Sequence, residues 1–171
     1  MHHLRCYTPH MIHIRPITPE EIPAARRVIL TVAYNIYGWE GGLEDSIRHF
    51  ESTNEFDDMA HVTEHYFQND GLFLVVLDDE KVIGSGAIRK FDPTTAELKR
   101  MWLLETYHGK GIGYQVISQL FEFARSKNYQ RIILQTSPEQ TRAIAFYKKL
   151  GFHEIPCYND KPDEISMEIK L

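Results

Sequence analysis

Six residues, His108-Gly109-Lys110-Gly111-Ile112-Gly113, set three alternate glycines just ahead of an apolar-periodic stretch. Glycines so spaced let the main chain turn tightly and point several N–H groups outward where a helix begins. An anion placed there gains hydrogen bonds and the positive end of the helix dipole. A pyrophosphate-bearing ligand suits this pattern. A Walker loop requires Lys followed by Ser or Thr after its last glycine, and Tyr114-Gln115 stand there instead. The dinucleotide fingerprint requires a further glycine at position 114 or 116, and these hold Tyr and Val.

Two other groupings offer chemistry. His61-Val62-Thr63-Glu64-His65 matches H-x-x-E-H, in which two histidines on one helical face ligate zinc and the glutamate acts as base. A zinc-dependent hydrolase using His61, Glu64 and His65 is therefore an alternative class. Spacing supplies no third ligand, however, and solvated histidines on a surface helix are the simpler expectation, so no metal is assigned. Cys157 follows His153 by four residues, but such spacing is unspecific and the thiol is expected to serve as a small apolar group. Cys6 and Cys157 lie near opposite ends and make neither a disulfide framework nor a structural zinc site.

The elements that position the glycine loop can be read from periodicity and turn chemistry. Residues 1–10 hold three histidines without apolar alternation and read as a mobile extension; a single domain is expected over 11–171. Ile12-His13-Ile14-Arg15 alternates as a strand. Thr18-Pro19-Glu20-Glu21 starts a helix with a capping hydroxyl, an early proline and two acids, and the glycines at 38, 41 and 42 end it after Tyr37. Residues 43–50 and 57–67 read as further helical pieces. From Leu72 an apolar strand, the turn Asp78-Asp79-Glu80 and its partner 81–88 form a hairpin. Residues 96–104 form a strand, 111–127 a long amphipathic helix, 131–135 a strand, 138–150 a second helix stopped by Gly151, and 152–155 and 165–169 the last strands. The fold class expected is α/β, or α+β: a central, mostly antiparallel mixed sheet with one parallel crossover and helices on both faces.

Within that order of elements, the loop resembles the R/Q-x-x-G-x-G/A coenzyme A loop of the GNAT N-acetyltransferase family, with His108 standing where the family usually has Arg or Gln. Ala143-Ile144-Ala145-Phe146-Tyr147-Lys148-Lys149-Leu150-Gly151-Phe152 is similar to the family's A-x-x-x-Y-x-K-x-G-F helix and strand. Gln140 takes the place where the family often has Asn. The resemblance implies the acyl-CoA N-acyltransferase-like fold, acetyl-CoA as cosubstrate and no metal. It also implies a coenzyme site made by His108 to Tyr114 (with Gly109, Lys110, Gly111, Ile112 and Gly113 between), by backbone groups of Met101, Trp102 and Leu103 along the pantetheine arm, and by Gln140, Ala143 and Tyr147.

The activity implied is direct attack of an amine on the thioester carbonyl, without a covalent enzyme intermediate. The amine must lose a proton and the departing thiolate benefits from gaining one. Tyr147 is the acid expected from the resemblance. Glu97 is the expected base, although the alternation of Glu97-Leu98-Lys99-Arg100 equally places it on a solvated face; Glu105 or water are the reserves. A non-catalytic acetyl-CoA sensor or scaffold is the alternative from another class.

Composition bounds the partners. The 171 residues are 43% hydrophobic and 25% charged, enough for a sizeable core, and the formal charge of −5 disfavours nucleic acid. No apolar run reaches membrane-spanning length and the opening lacks a secretory signal, so a cytoplasmic location without membrane contact is expected. The acceptor is expected to be a small-molecule or peptide amine. Glu51, Glu55, Asp57, Asp58 and Glu64 could attract a cation, with Tyr34, Tyr37 and Trp39 on the same wall. A homodimer is common in the family.

Overall fold

Alternate residues of one strand, β2 (Leu72–Asp78), divide the interior in two. Leu74 and Val76 point into a core shared with the helices of the second half, whereas Phe73, Val75 and Leu77 point into a core under the helices of the first half. A strand buried on both faces reads as a continuous apolar run, as this one does. The structure is a computed structural model and describes residues 11–171; the extension expected at 1–10, with Cys6, lies outside the described residues.

The remaining strands are β1 (Ile12–Pro16), β3 (Lys81–Asp92), β4 (Thr95–Leu103), β5 (Arg131–Thr136), β6 (His153–Ile155) and β7 (Ile165–Lys170). They form one seven-stranded sheet in the order β1-β2-β3-β4-β5-β7-β6, antiparallel throughout except for the parallel pair β4–β5. The mixed sheet and its one parallel crossover agree with the sequence. Helices α1 (Ile22–Tyr37), α2 (Leu43–Glu51) and α3 (Asp57–Ala60) cover one face; α4 (Ile112–Ser126) and α5 (Thr141–Leu150) cover the other. Among the described residues no helix is long and apolar enough to cross a membrane.

Several boundaries differ from those expected. The Thr18 start makes a single 3-10 turn, Pro19–Glu21, before α1 begins. The segment expected to be helical over 57–67 breaks at His61 and resumes as a π-helical turn, Thr63–Phe67. Helix α4 starts at Ile112 because Gly111 is left-handed, with φ +77°, and cannot belong to a right-handed helix. Helix α5 starts at Thr141, since Gln140 N–H closes a turn on Ser137 O at 3.0 Å and Thr141 N–H bonds Glu139 O at 2.9 Å.

Helix α4 can lie close to the sheet because of Gly86: a Cβ there would meet Val116 Cγ1 at 2.6 Å and Met101 Sδ at 3.0 Å.

Candidate active site

The parallel pairing of β4 with β5 runs only from Thr95–Arg131 to Leu98–Leu134. Beyond Leu98 the strands diverge, so the β5-facing backbone of residues 99–103 is left without a ladder partner. On its other edge β4 is bulged: Ser85 pairs with Trp102 and Ala87 with Lys99, so one residue of β3 spans two of β4. Arg100 occupies the bulge with φ +52°, and Ser85 Oγ donates to its carbonyl oxygen at 2.7 Å.

A non-glycine residue in this conformation needs support. Arg100 donates from Nε and NH2 to the Asp58 carboxylate at 3.1 and 2.7 Å and from NH2 to Glu55 O at 2.5 Å, and its guanidinium lies 4.9 Å from the Phe56 ring centre. Tyr66 donates its hydroxyl to Asp58 as well. Burial alone would raise the Asp58 carboxyl, but the Arg100 hydrogen bonds and charge, with Tyr66, hold it below the usual range. Expected among the acids that could attract a cation, Asp58 is instead a buried clamp on β4.

Divergence of β4 and β5 opens a cavity of about 390 Å³ between α1, α2 and the start of α5. Glu97, Met101, Trp102, Gln140 and Tyr147 from the expected site all line it, as do Tyr37 and Trp39 of the expected acceptor wall. Tyr34 turns elsewhere, donating to Gly41 O at 2.9 Å. Leu103 and Ala143 pack into the core beneath α4 and α5.

Tyr147 is 6% exposed, and among the described residues its hydroxyl has no hydrogen-bond partner. Burial pushes this phenol far above its ordinary value, so it is protonated throughout the neutral range. Glu97 is buried, not solvated. Its Oε2 accepts from Arg89 Nε at 2.8 Å and lies 2.7 Å from the Nη2 of the same guanidinium in an ion pair, and its Oε1 accepts from Tyr158 at 3.0 Å. Arg89 and Tyr158, invisible to sequence reading because they come from β3 and the β6–β7 connection, complete this corner. Lys99 also lines the cavity; burial lowers its ammonium against the opposing pull of Glu97. Glu105, the reserve base, lies exposed in the 3-10 turn Glu105–Tyr107, outside the cavity.

Gln140 shares its amide with a small network. Its Nε2 donates to Tyr37 Oη at 2.8 Å, its Oε1 accepts from Thr136 at 2.8 Å, and Tyr37 and Ser137 hydroxyls lie 2.8 Å apart. One Gln140 amide proton remains uncommitted.

The glycine loop lies on the exposed surface beyond the cavity. Gly109 and Gly111 have φ of +75° and +77°, with open space where a Cβ would stand. Gln115 N–H makes the bond to Gly111 O at 3.1 Å, so the earlier N–H groups of α4's first turn have no intrahelical acceptor. Gly113 lies within α4. The His108 side chain folds back, Nε2 being 3.0 Å from Leu103 O, and the Lys110 ammonium lies over Tyr107, 5.3 Å from the ring centre. An open row of helix-start N–H groups with a cation beside it fits a polyphosphate, and the β4–β5 gap fits an amide-bearing arm that bonds like an added strand.

The other groupings stand apart. Cys157 is exposed and its thiol donates to Asn159 O at 3.0 Å, while His153 pairs with Glu168 at 3.3 Å. Glu64 is exposed and does not join His61 and His65 in a ligand cluster.

A bulged, splayed β4 beside a parallel β5, with a glycine loop leading into α4, defines an acyl-CoA N-acyltransferase-like protein. A profile of the Acetyltransferase (GNAT) family matches residues 37–152, and the chain belongs to that family. It is 35% identical to human N-acetyltransferase 8B over 102 residues, 56% of this chain and 44% of the relative. It is 29% identical to YjgM of Escherichia coli K12, an uncharacterised N-acetyltransferase, over 161 residues and 92% of each chain. Among solved structures, PaiA N-acetyltransferase from Thermoplasma acidophilum, in complex with coenzyme A, superposes with a TM-score of 0.76 at 22% identity, covering 94% of this chain and 99% of that one. The chain spans about half the length of the human and mouse relatives it matches.

Proposed function

We propose that the chain transfers an acetyl group from acetyl-CoA to an amine acceptor by direct attack. The observation that carries this is Tyr147: a buried phenol, protonated and without a hydrogen-bond partner among the described residues, on the wall of the cavity where β4 and β5 part. The glycine loop, with N–H groups of Gly111 to Tyr114 and the Lys110 ammonium, would hold the pyrophosphate. The free backbone of Met101 to Leu103 would hold the pantetheine arm, with Gln140 at its side.

The acceptor nitrogen then attacks the thioester carbonyl carbon and the C–S bond breaks. Tyr147 supplies a proton to the departing thiolate. The proton lost by the amine passes to Glu97, directly or through water. Arg89 and Tyr158 fix both Glu97 oxygens in position, which supports a positioned acceptor over a freely rotating one. The wall of Tyr37, Trp39, Phe50 and Phe56 suits an acceptor with an apolar portion, and the cavity takes a small molecule or a peptide end more readily than a folded surface.

The competing role is an acetyl-CoA sensor without turnover. Steady-state turnover with a panel of amines separates the two: loss in Tyr147→Phe with coenzyme binding kept supports the enzyme, whereas binding of acetyl-CoA without turnover of any amine by the unmodified chain supports the sensor.

A further inference from the structure

The break between α3 and the π-helical turn brings together three side chains that the acetyl-transfer site does not use. Asp57, His61 and His65 follow one another at intervals of four residues, and one ligand atom from each lies within 4.8 Å of the other two. His61 Nδ1 is 3.3 Å from Asp57 Oδ1, and His65 Nε2 is 3.5 Å from Asp57 Oδ2. In a tetrahedral zinc site with metal–ligand distances of roughly 2.0–2.2 Å, neighbouring donor atoms stand about 3.3–3.6 Å apart. Both separations are of that length, one to each oxygen of the Asp57 carboxylate; with a single Asp57 oxygen as donor the three ligand atoms lie within 4.8 Å of one another, and side-chain rotation closes them onto a common ion.

From this the geometry points to a divalent transition-metal site formed by Asp57, His61 and His65, with a fourth position open to solvent. Two imidazoles and one carboxylate are borderline donors that suit Zn²⁺ and its neighbours and not Mg²⁺, which takes oxygen ligands in an octahedron. The side chains are 57%, 58% and 39% exposed, so an ion can reach them without opening the core. His61 Nδ1 also lies 3.2 Å from Asp57 O, a contact that holds the ring over the carboxylate; metal entry replaces the proton that such a contact uses.

The site would act on the fold next to it. Asp58 and Tyr66, which clamp Arg100 at the β4 bulge, belong to the same short segment, so a cation tying Asp57 to His61 and His65 fixes the clamp's two halves together. His65 also borders a smaller groove of about 250 Å³ that Glu97, Arg89 and Tyr158 line as well. This site is unlike the H-x-x-E-H arrangement: Glu64 takes no part, and no hydrolytic chemistry is involved.

Calorimetric titration of the full chain with ZnCl₂, with MgCl₂ as a parallel arm, tests the site, alongside thermal unfolding with and without Zn²⁺. One Zn²⁺ per chain is expected, with a raised unfolding temperature and no saturable Mg²⁺ binding. Each of Asp57→Asn, His61→Ala and His65→Ala is expected to weaken Zn²⁺ binding by about tenfold or more and to abolish the thermal shift while acetyl-CoA binding is kept. His61→Gln and His65→Gln serve where alanine disturbs folding. Absence of saturable Zn²⁺ binding, equal binding of Mg²⁺, or binding unchanged in the variants, which would assign the ion to other histidines, overturns the proposal.

Discussion

Arg89 donates from Nε to one oxygen of Glu97 and pairs its charge with it, and Tyr158 holds the other oxygen. A carboxylate buried on the cavity wall is thereby fixed in orientation by residues from two other parts of the chain. Glu97→Gln removes the charge, keeps the shape and leaves Arg89 unpaired. We expect kcat to fall by about 10²-fold with little change in the acetyl-CoA dissociation constant, as befits loss of a positioned proton acceptor. A fall of less than twofold in kcat would assign the proton to water.

Tyr147 gives a sharper test. Tyr147→Phe deletes one oxygen from a site without a hydrogen-bond partner, so the fold should be untouched and kcat should fall by about 10²-fold or more. The direction of the pKa shift adds a pH signature. Because burial raises the phenol, it keeps its proton as pH passes through the ordinary tyrosine range, and no loss of kcat from Tyr147 ionisation is expected up to about pH 10. Turnover measured from neutrality upwards checks this; an alkaline limb that starts near pH 8 and vanishes in Tyr147→Phe would contradict it.

The two loop glycines should respond differently from the helical one. Gly111→Ala places a side chain at φ +77°, where no neighbour obstructs it but the backbone itself resists, at about 1–2 kcal/mol. Gly113→Ala meets Phe146 Cζ at an ordinary 3.7 Å inside α4, and is expected to leave folding unchanged or slightly improved. Urea unfolding midpoints distinguish the pair, and acetyl-CoA affinity should drop more for Gly111→Ala.

The clamp on the bulge should be costly to break. Arg100→Leu strands the Asp58 carboxylate with Tyr66 alone, in a place where both side chains are 13% and 10% exposed, and a loss of about 3 kcal/mol is expected. Chemical denaturation reads the loss. A loss below about 1 kcal/mol would show the pair to be dispensable, as for a surface ion pair.

Much of this was legible in the order of residues. Strand alternation and glycine punctuation placed all seven strands and helices α1, α2, α4 and α5 to within a few residues, because they depend on local turn chemistry and on which face is apolar, whereas the helix expected over 57–67 breaks at His61. The glycine loop could be singled out by spacing, and Tyr147 and Gln140 by the resemblance of their helix to the family's motif. Arg89, Tyr158 and the Arg100–Asp58 clamp could not, since each depends on a pairing between residues distant in sequence: 8, 61 and 42 positions apart, respectively. The bulge at Arg100 left no local mark, because the sequence there alternates as any strand does and the irregularity exists only in register with β3. Asp57 did carry a signal, the repeated interval of four to His61 and His65, which is visible once the motif is extended backward instead of inward to Glu64.

Acetyl-CoA binding is the most direct consequence of the glycine loop and the β4–β5 gap. Calorimetric titration of the full chain with acetyl-CoA, against 3′-phosphoadenosine 5′-diphosphate lacking the pantetheine arm, should give one saturable site whose affinity depends on the arm, as a coenzyme arm lying in the proposed β4–β5 gap requires. No binding to folded protein, or equal affinity for the armless nucleotide, would contradict the assignment of the loop and the gap as one coenzyme site.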